Sequence, residues 1–144
     1  ELGHYKRGHI VKNILISLFG TFLGLFVMSQ IYIKLLHLFG FSHPWEIGAL
    51  PLLAVIAAVY SFFTSPLAAG ISRKFEFEAD RYAIDTTRDP LALESTMKKL
   101  AEQNLANDEP NRLVEFWTYS HPSIKRRIAE AMEYYNKNYA AGTA

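Results

Sequence analysis

The distribution of charge constrains this chain more than any motif in it: the 21 residues between Lys12 and Lys34 carry no formal charge, nor do the 26 between Glu46 and Arg73. At about 1.5 Å rise per residue, either run is long enough as a helix to cross a hydrocarbon core of roughly 30 Å. The first, residues 13–33, is rich in Leu, Ile, Phe and Val, with Ser17, Thr21, Ser29 and Gln30 as polar members. The second, residues 47–72, opens with Gly48 and Pro51 and contains Pro66, a kink signal that membrane helices tolerate better than soluble ones. Core helices of a soluble protein share this composition, but 144 residues leave too little other chain to wrap two of them. The expectation is a transmembrane hairpin in a lipid bilayer.

Neither run reads as a signal peptide, because the first follows a polar, His-rich segment rather than a short basic leader with a cleavage site after it. Lys6, Arg7 and Lys12 precede the first run and Arg73, Lys74 and Arg81 follow the second, while Lys34 stands alone near the connecting turn. The positive-inside rule then places both termini on the cytoplasmic side. Lys plus Arg total 15 against 14 Asp plus Glu, a balance without the basic footprint a nucleic-acid binder needs. The absence of cysteine rules out disulfides, thiolate metal sites and a thiol nucleophile. Any metal must sit on His, Asp or Glu.

Beyond Arg73 the composition becomes that of a soluble helical protein. Asp89-Pro90 reads as a cap followed by proline at the first helical position, opening an amphipathic helix to about Asn104 with Leu93, Met97 and Leu100 on one face. Residues 107–111 form a polar loop, residues 113–119 a short aromatic stretch, and Ser120-His121-Pro122 a second cap-and-proline start for a helix from about Ser123 to Lys137. No repeat, β alternation or phosphate loop is present. The fold class is all-α, divided into residues 1–74, with the hairpin, and residues 75–144, a helical part completing a site.

Glu1-Leu2-Gly3-His4 has the form of a zinc-protease HExxH motif without its first letter. That motif sets two His one helical turn apart on one zinc, with the Glu beside the first placed to take a proton from water. Taken alone, these four residues read as an ordinary exposed helix start. Glu76 and Asp80 add a second cluster at the cytoplasmic end of the second run. Four apart, they share a helix face as a like-charge pair, which a zinc ion and its His ligands would compensate. Helical spacing therefore nominates Glu76 as a metal ligand and Asp80 as the acceptor that orients a ligand. Glu78, roughly 200° round from Glu76, is left as a surface charge near Lys74. His9, about 140° round from His4 on a continuous helix, is not expected to share the zinc. His37 and His43 flank the distant turn. His121 and Arg127 form a third cluster, readable either as a helix cap with a solvated Arg or as functional.

Taken in order, Glu1 to His4, the two apolar runs, Ser72-Arg73-Lys74-Phe75-Glu76-Phe77-Glu78-Ala79-Asp80, and Tyr119-Ser120-His121-Pro122 with Arg127 resemble the type I CAAX prenyl proteases. These are integral-membrane zinc metallopeptidases, related to bacterial heat-shock membrane peptidases. The resemblance implies that Glu1 is the catalytic Glu, His4 the second zinc His, Glu76 the third zinc ligand and Asp80 its accompanying Asp. It also implies that His121 and Arg127 lie near the substrate backbone or the developing oxyanion. The first zinc His and the earlier membrane helices of the family are missing, so the chain resembles the C-terminal portion of a longer protease. One zinc per complete site is implied, with the fragment alone inactive.

The implied chemistry is peptide hydrolysis in which zinc lowers the pKa of its water, Glu1 shuttles the proton, and zinc and His121 oppose the charge of the tetrahedral intermediate. The partners implied are a peptide or protein substrate, prenylated at its C-terminal tail in the eukaryotic members, and the remaining N-terminal part of the same protease. A bacterial quality-control peptidase that clears damaged membrane proteins is the alternative within the family. A non-catalytic membrane binding protein is the alternative outside it. A transporter fragment would carry ionisable residues inside the spans, and there are none.

Overall fold

The computed structural model describes residues 2–103 and 109–140, and among these every regular element is helical. In chain order they are α1 (Leu2–Lys6), α2 (His9–Leu38), a 3-10 turn (Ile47–Ala49), α3 (Leu50–Thr87), α4 (Pro90–Gln103), α5 (Arg112–Thr118) and α6 (Ile124–Asn138). Two compact units result. Residues 11–65 form one, and residues 1–10 with 66–144 form the other.

In the first unit, the charge-free runs become parts of α2 and α3, both long and apolar enough to cross a membrane. Within this chain their side chains are largely uncovered: Phe19, Phe22, Phe26 and Phe63 are each more than 60% exposed. Only a small cluster is buried, with Tyr32, Leu36, Ala49 and Ile56 packed together. Gly24 faces the Tyr60 ring so closely that a Cβ there would meet the phenol oxygen at 2.7 Å. α2 stops at Gly40, whose φ of 81° is costly for any residue with a Cβ. Phe41 N–H then bonds Leu36 O and Gly40 N–H bonds His37 O, which satisfies carbonyls the helix end would leave bare. The turn is tied by Glu46, whose Oε1 accepts the amides of Ser42 and His43, and by the Tyr32 hydroxyl donating to Pro44 O.

α3 continues through Pro66. The proline has no N–H for the carbonyl of Phe62, and the Ser65 hydroxyl approaches that oxygen at 3.5 Å instead.

In the second unit, α3 ends at Arg88, which has a φ of 56°. Asp89 Oδ1 then accepts the Ala92 amide at 2.9 Å, the cap expected ahead of Pro90. α4 packs on α6. Asn111 caps α5 by accepting from Leu113 N. The cap of α6 is Ser123, so His121 and Pro122 precede the helix rather than opening it. The Ser123 amide donates to the buried carboxylate of Glu115, which also pairs with Arg126 at 2.7 Å. Arg73 donates to the carbonyls of Glu115, Phe116 and Tyr119 at the end of α5. These ties fix the chain that presents His121.

Candidate metal centre

The site is assembled by a close approach of α1 to α3. A Cβ on Gly3 would lie 2.9 Å from both Cα and O of Ala79, so only glycine allows this contact. Ala79 lies between Glu76 and Asp80 on α3, and His4 follows Gly3 on α1. The packing therefore delivers His4 Nε2 to 3.7 Å from Glu76 Oε1. Glu76 and Asp80 are buried, at 8% and 5% exposure.

Two carboxylates one helical turn apart out of water need a cation. Arg127 on α6 supplies one. Its Nε and one terminal nitrogen donate to Asp80 at 2.8 and 2.6 Å, and the other reaches Glu76 Oε2 at 2.8 Å. Burial works against the charged guanidinium, but the hydrogen bond and charge of Asp80, with the charge of Glu76, hold its pKa above the ordinary arginine value. The remaining oxygen, Glu76 Oε1, is approached by His4 and by His121 Nδ1 at 2.9 Å. The His121 side chain is 66% exposed, so most of its ring faces outward.

His4, Glu76, Asp80, His121 and Arg127 thus converge. Glu1 lies outside the described residues. Asp80 receives Arg127 rather than His4, and the fork of Arg127 is occupied by the two carboxylates.

Two residues read from the sequence as peripheral stand in contact with the cluster. The 140° separation of His9 from His4 assumes one continuous helix, but the helix breaks at Arg7-Gly8, where Gly8 has a φ of 66°. His9 restarts the chain as the first residue of α2, 1% exposed and stacked on Phe75 at 4.4 Å between ring centroids. Its Nδ1 lies 3.1 Å from His4 Nδ1, and its Nε2 lies 3.1 Å from Glu78 Oε2. Glu78 keeps the looser contact with Lys74, at 4.0 Å, on its other oxygen. A basic last turn followed by glycine is a helix stop signal, and Lys6-Arg7-Gly8 carries it.

Among the described residues no group of three or more His, Asp or Glu is gathered in metal-binding geometry. The pair His4 and Glu76 nevertheless suits zinc. Nitrogen and oxygen donors about 2.1 Å from a tetrahedral ion stand about 3.4 Å apart, close to the 3.7 Å found here.

The family model of Peptidase family M48 matches residues 1–135. The chain belongs to peptidase family M48. It is 37% identical to the human CAAX prenyl protease 1 homologue over 134 residues, which is 89% of this chain and 28% of that protein. An uncharacterised metalloprotease of Bacillus subtilis is 33% identical over 135 residues, 91% of this chain and 32% of the relative. A protease HtpX homologue of Bacteroides fragilis is 33% identical over 108 residues, 70% of this chain and 33% of the relative. The chain spans about a third of the length of these curated relatives.

Proposed function

We propose that this chain is part of a membrane-embedded zinc metalloendopeptidase of the CAAX prenyl protease type, with its active site on the cytoplasmic side. The observation that carries the reading is the placement of His4 Nε2 beside Glu76 Oε1 by the Gly3–Ala79 contact. The family match over residues 1–135 supports it. His4 and Glu76 would hold the ion together with a His immediately before Glu1 in the full-length protein. When bound, zinc supplies a Lewis acid and a water of lowered pKa.

The remaining residues act around that ion. Glu1, next to the first zinc His, is the general base that takes the proton and returns it to the leaving amine. Arg127 holds Oε2 of Glu76, which leaves Oε1 to His4 and His121. Asp80 holds Arg127 in place through two hydrogen bonds. Arg127 therefore works on Glu76 rather than on the substrate. His121 meets Glu76 Oε1 through Nδ1, and its largely exposed ring is placed to meet a scissile carbonyl with its other nitrogen and to oppose negative charge on it. The basic residues Lys6, Arg7, Lys12, Arg73 and Lys74 bracket the two spans on one side, which supports the cytoplasmic placement.

The test uses the purified full-length protein with two substrates, a farnesylated peptide ending in a CaaX tail and an unfolded membrane protein. Cleavage of the first, lost on chelation and restored by zinc, is expected. Chelator-insensitive cleavage overturns the metal reading. Cleavage of the unfolded protein alone moves the assignment to the quality-control peptidase, the reading favoured by the similarity to the HtpX homologue.

A further inference from the structure

We infer that His9 and Glu78 are positioning residues that fix the tautomer of His4. The inference rests on the reading of His4 as a zinc ligand and extends it to two side chains outside the metal's reach. A carboxylate only accepts hydrogen bonds, so Glu78 Oε2, 3.1 Å from His9 Nε2, takes its proton from that nitrogen. In a neutral imidazole the other nitrogen is then bare. His9 Nδ1 is therefore the acceptor in its 3.1 Å contact with His4 Nδ1, and His4 Nδ1 carries the proton. That leaves the lone pair of His4 on Nε2, the atom that faces Glu76 Oε1 at 3.7 Å.

The polarity of the chain is set at one end only. Glu78 is the terminal acceptor, and each ring passes the constraint on. An isolated imidazole exchanges between two tautomers, and only the one with a bare Nε2 can bind a metal at that atom. Metal-binding His residues commonly donate their other N–H to a carboxylate or carbonyl; here the donation goes to a second imidazole that is itself held by a carboxylate. His9 is built for this role by its surroundings. It is 1% exposed, lies nearly parallel to Phe75 with 13° between the rings, and meets the His4 ring edge-on at 80°. Gly8 makes the arrangement possible, because its positive φ breaks the helix between His4 and His9 and lets His9 restart it as the first residue of α2.

The experiment compares full-length wild-type protein with His9→Leu, His9→Asn, Glu78→Ala and His4→Ala. Zinc affinity is measured by competition with a chelator, and the protonation of labelled His4 by nitrogen NMR of the metal-free wild type. Metal-free His4 protonated on Nδ1 is expected. Zinc affinity should fall by about 10- to 100-fold in His9→Leu and Glu78→Ala, the usual range for losing the group behind a metal-binding His. His9→Asn should retain more affinity than His9→Leu, because its amide oxygen can still accept from His4. Should the buried His9 variants fail to fold, the wild-type spectrum decides alone. Wild-type affinity in His9→Leu, or a wild-type His4 protonated on Nε2, overturns the inference while leaving His4 as a ligand. Undiminished zinc binding by His4→Ala would overturn instead the reading on which the inference rests.

Discussion

Arg127 donates to Glu76 Oε2 at 2.8 Å while its other two donors grip Asp80. A guanidinium fork matches this arrangement and a lysine ammonium does not. The three side chains are between 7% and 14% exposed, so removing the cation leaves two buried carboxylates facing each other. Arg127→Ala is expected to cost about 3–5 kcal/mol of stability, the range for breaking a buried pair from one side. Zinc affinity should fall with it, and Arg127→Lys should recover little of either. Thermal melting and metal analysis of the same preparations check this, and a variant with unchanged melting and zinc content would contradict it.

His121 should behave differently. Its ring is mostly exposed and its one contact in the cluster is to Glu76. His121→Ala is expected to leave bound zinc and melting temperature near wild type and to lower kcat/KM by about 10² to 10³, a typical cost of losing one oxyanion-type donor. Turnover per folded molecule is the quantity to measure. A pure loss of stability with that turnover intact would assign His121 to the fold alone.

Gly3→Ala adds a single methyl group where the Ala79 backbone stands 2.9 Å away. Backbone cannot rotate aside as a side chain can, so α1 must shift on α3. The expected cost is about 1–3 kcal/mol, the range for overpacking, together with weaker zinc binding as His4 moves off Glu76. Unchanged melting temperature and zinc affinity would show that the contact does not position His4.

The exposed faces of α2 and α3 predict partition. Phe19, Phe22, Phe26 and Phe63 are each more than 60% exposed, and water is a poor medium for so much apolar surface. The protein is expected to need detergent and to stay with membranes on alkaline carbonate extraction. Recovery as a soluble monomer without detergent would refute the membrane reading.

Much of the fold was legible because it depends on local composition. Charge-free runs marked α2 and α3, and Asp89-Pro90 marked the start of α4. Helical spacing put Glu76 and Asp80 on one face, and the structure brings both to Arg127. What escaped was what depends on contacts between distant segments or on a single backbone angle. The 140° rule set His9 apart from His4 because nothing in a periodicity count registers the break that Gly8 introduces. Glu78 looked like a solvated charge because its partner at 3.1 Å is 69 residues away in the chain. Likewise Glu115, an unremarkable acid in an aromatic stretch, became the buried acceptor for the Ser123 amide and Arg126 only once α5 and α6 met.

The central claim is that His4 and Glu76 hold one catalytic zinc, and metal stoichiometry of the full-length protein and its Glu76→Ala variant tests it most directly. The account predicts one zinc per chain in the wild type and close to none in Glu76→Ala, with the variant still helical and still in the membrane. One zinc per chain in a folded Glu76→Ala protein would contradict it.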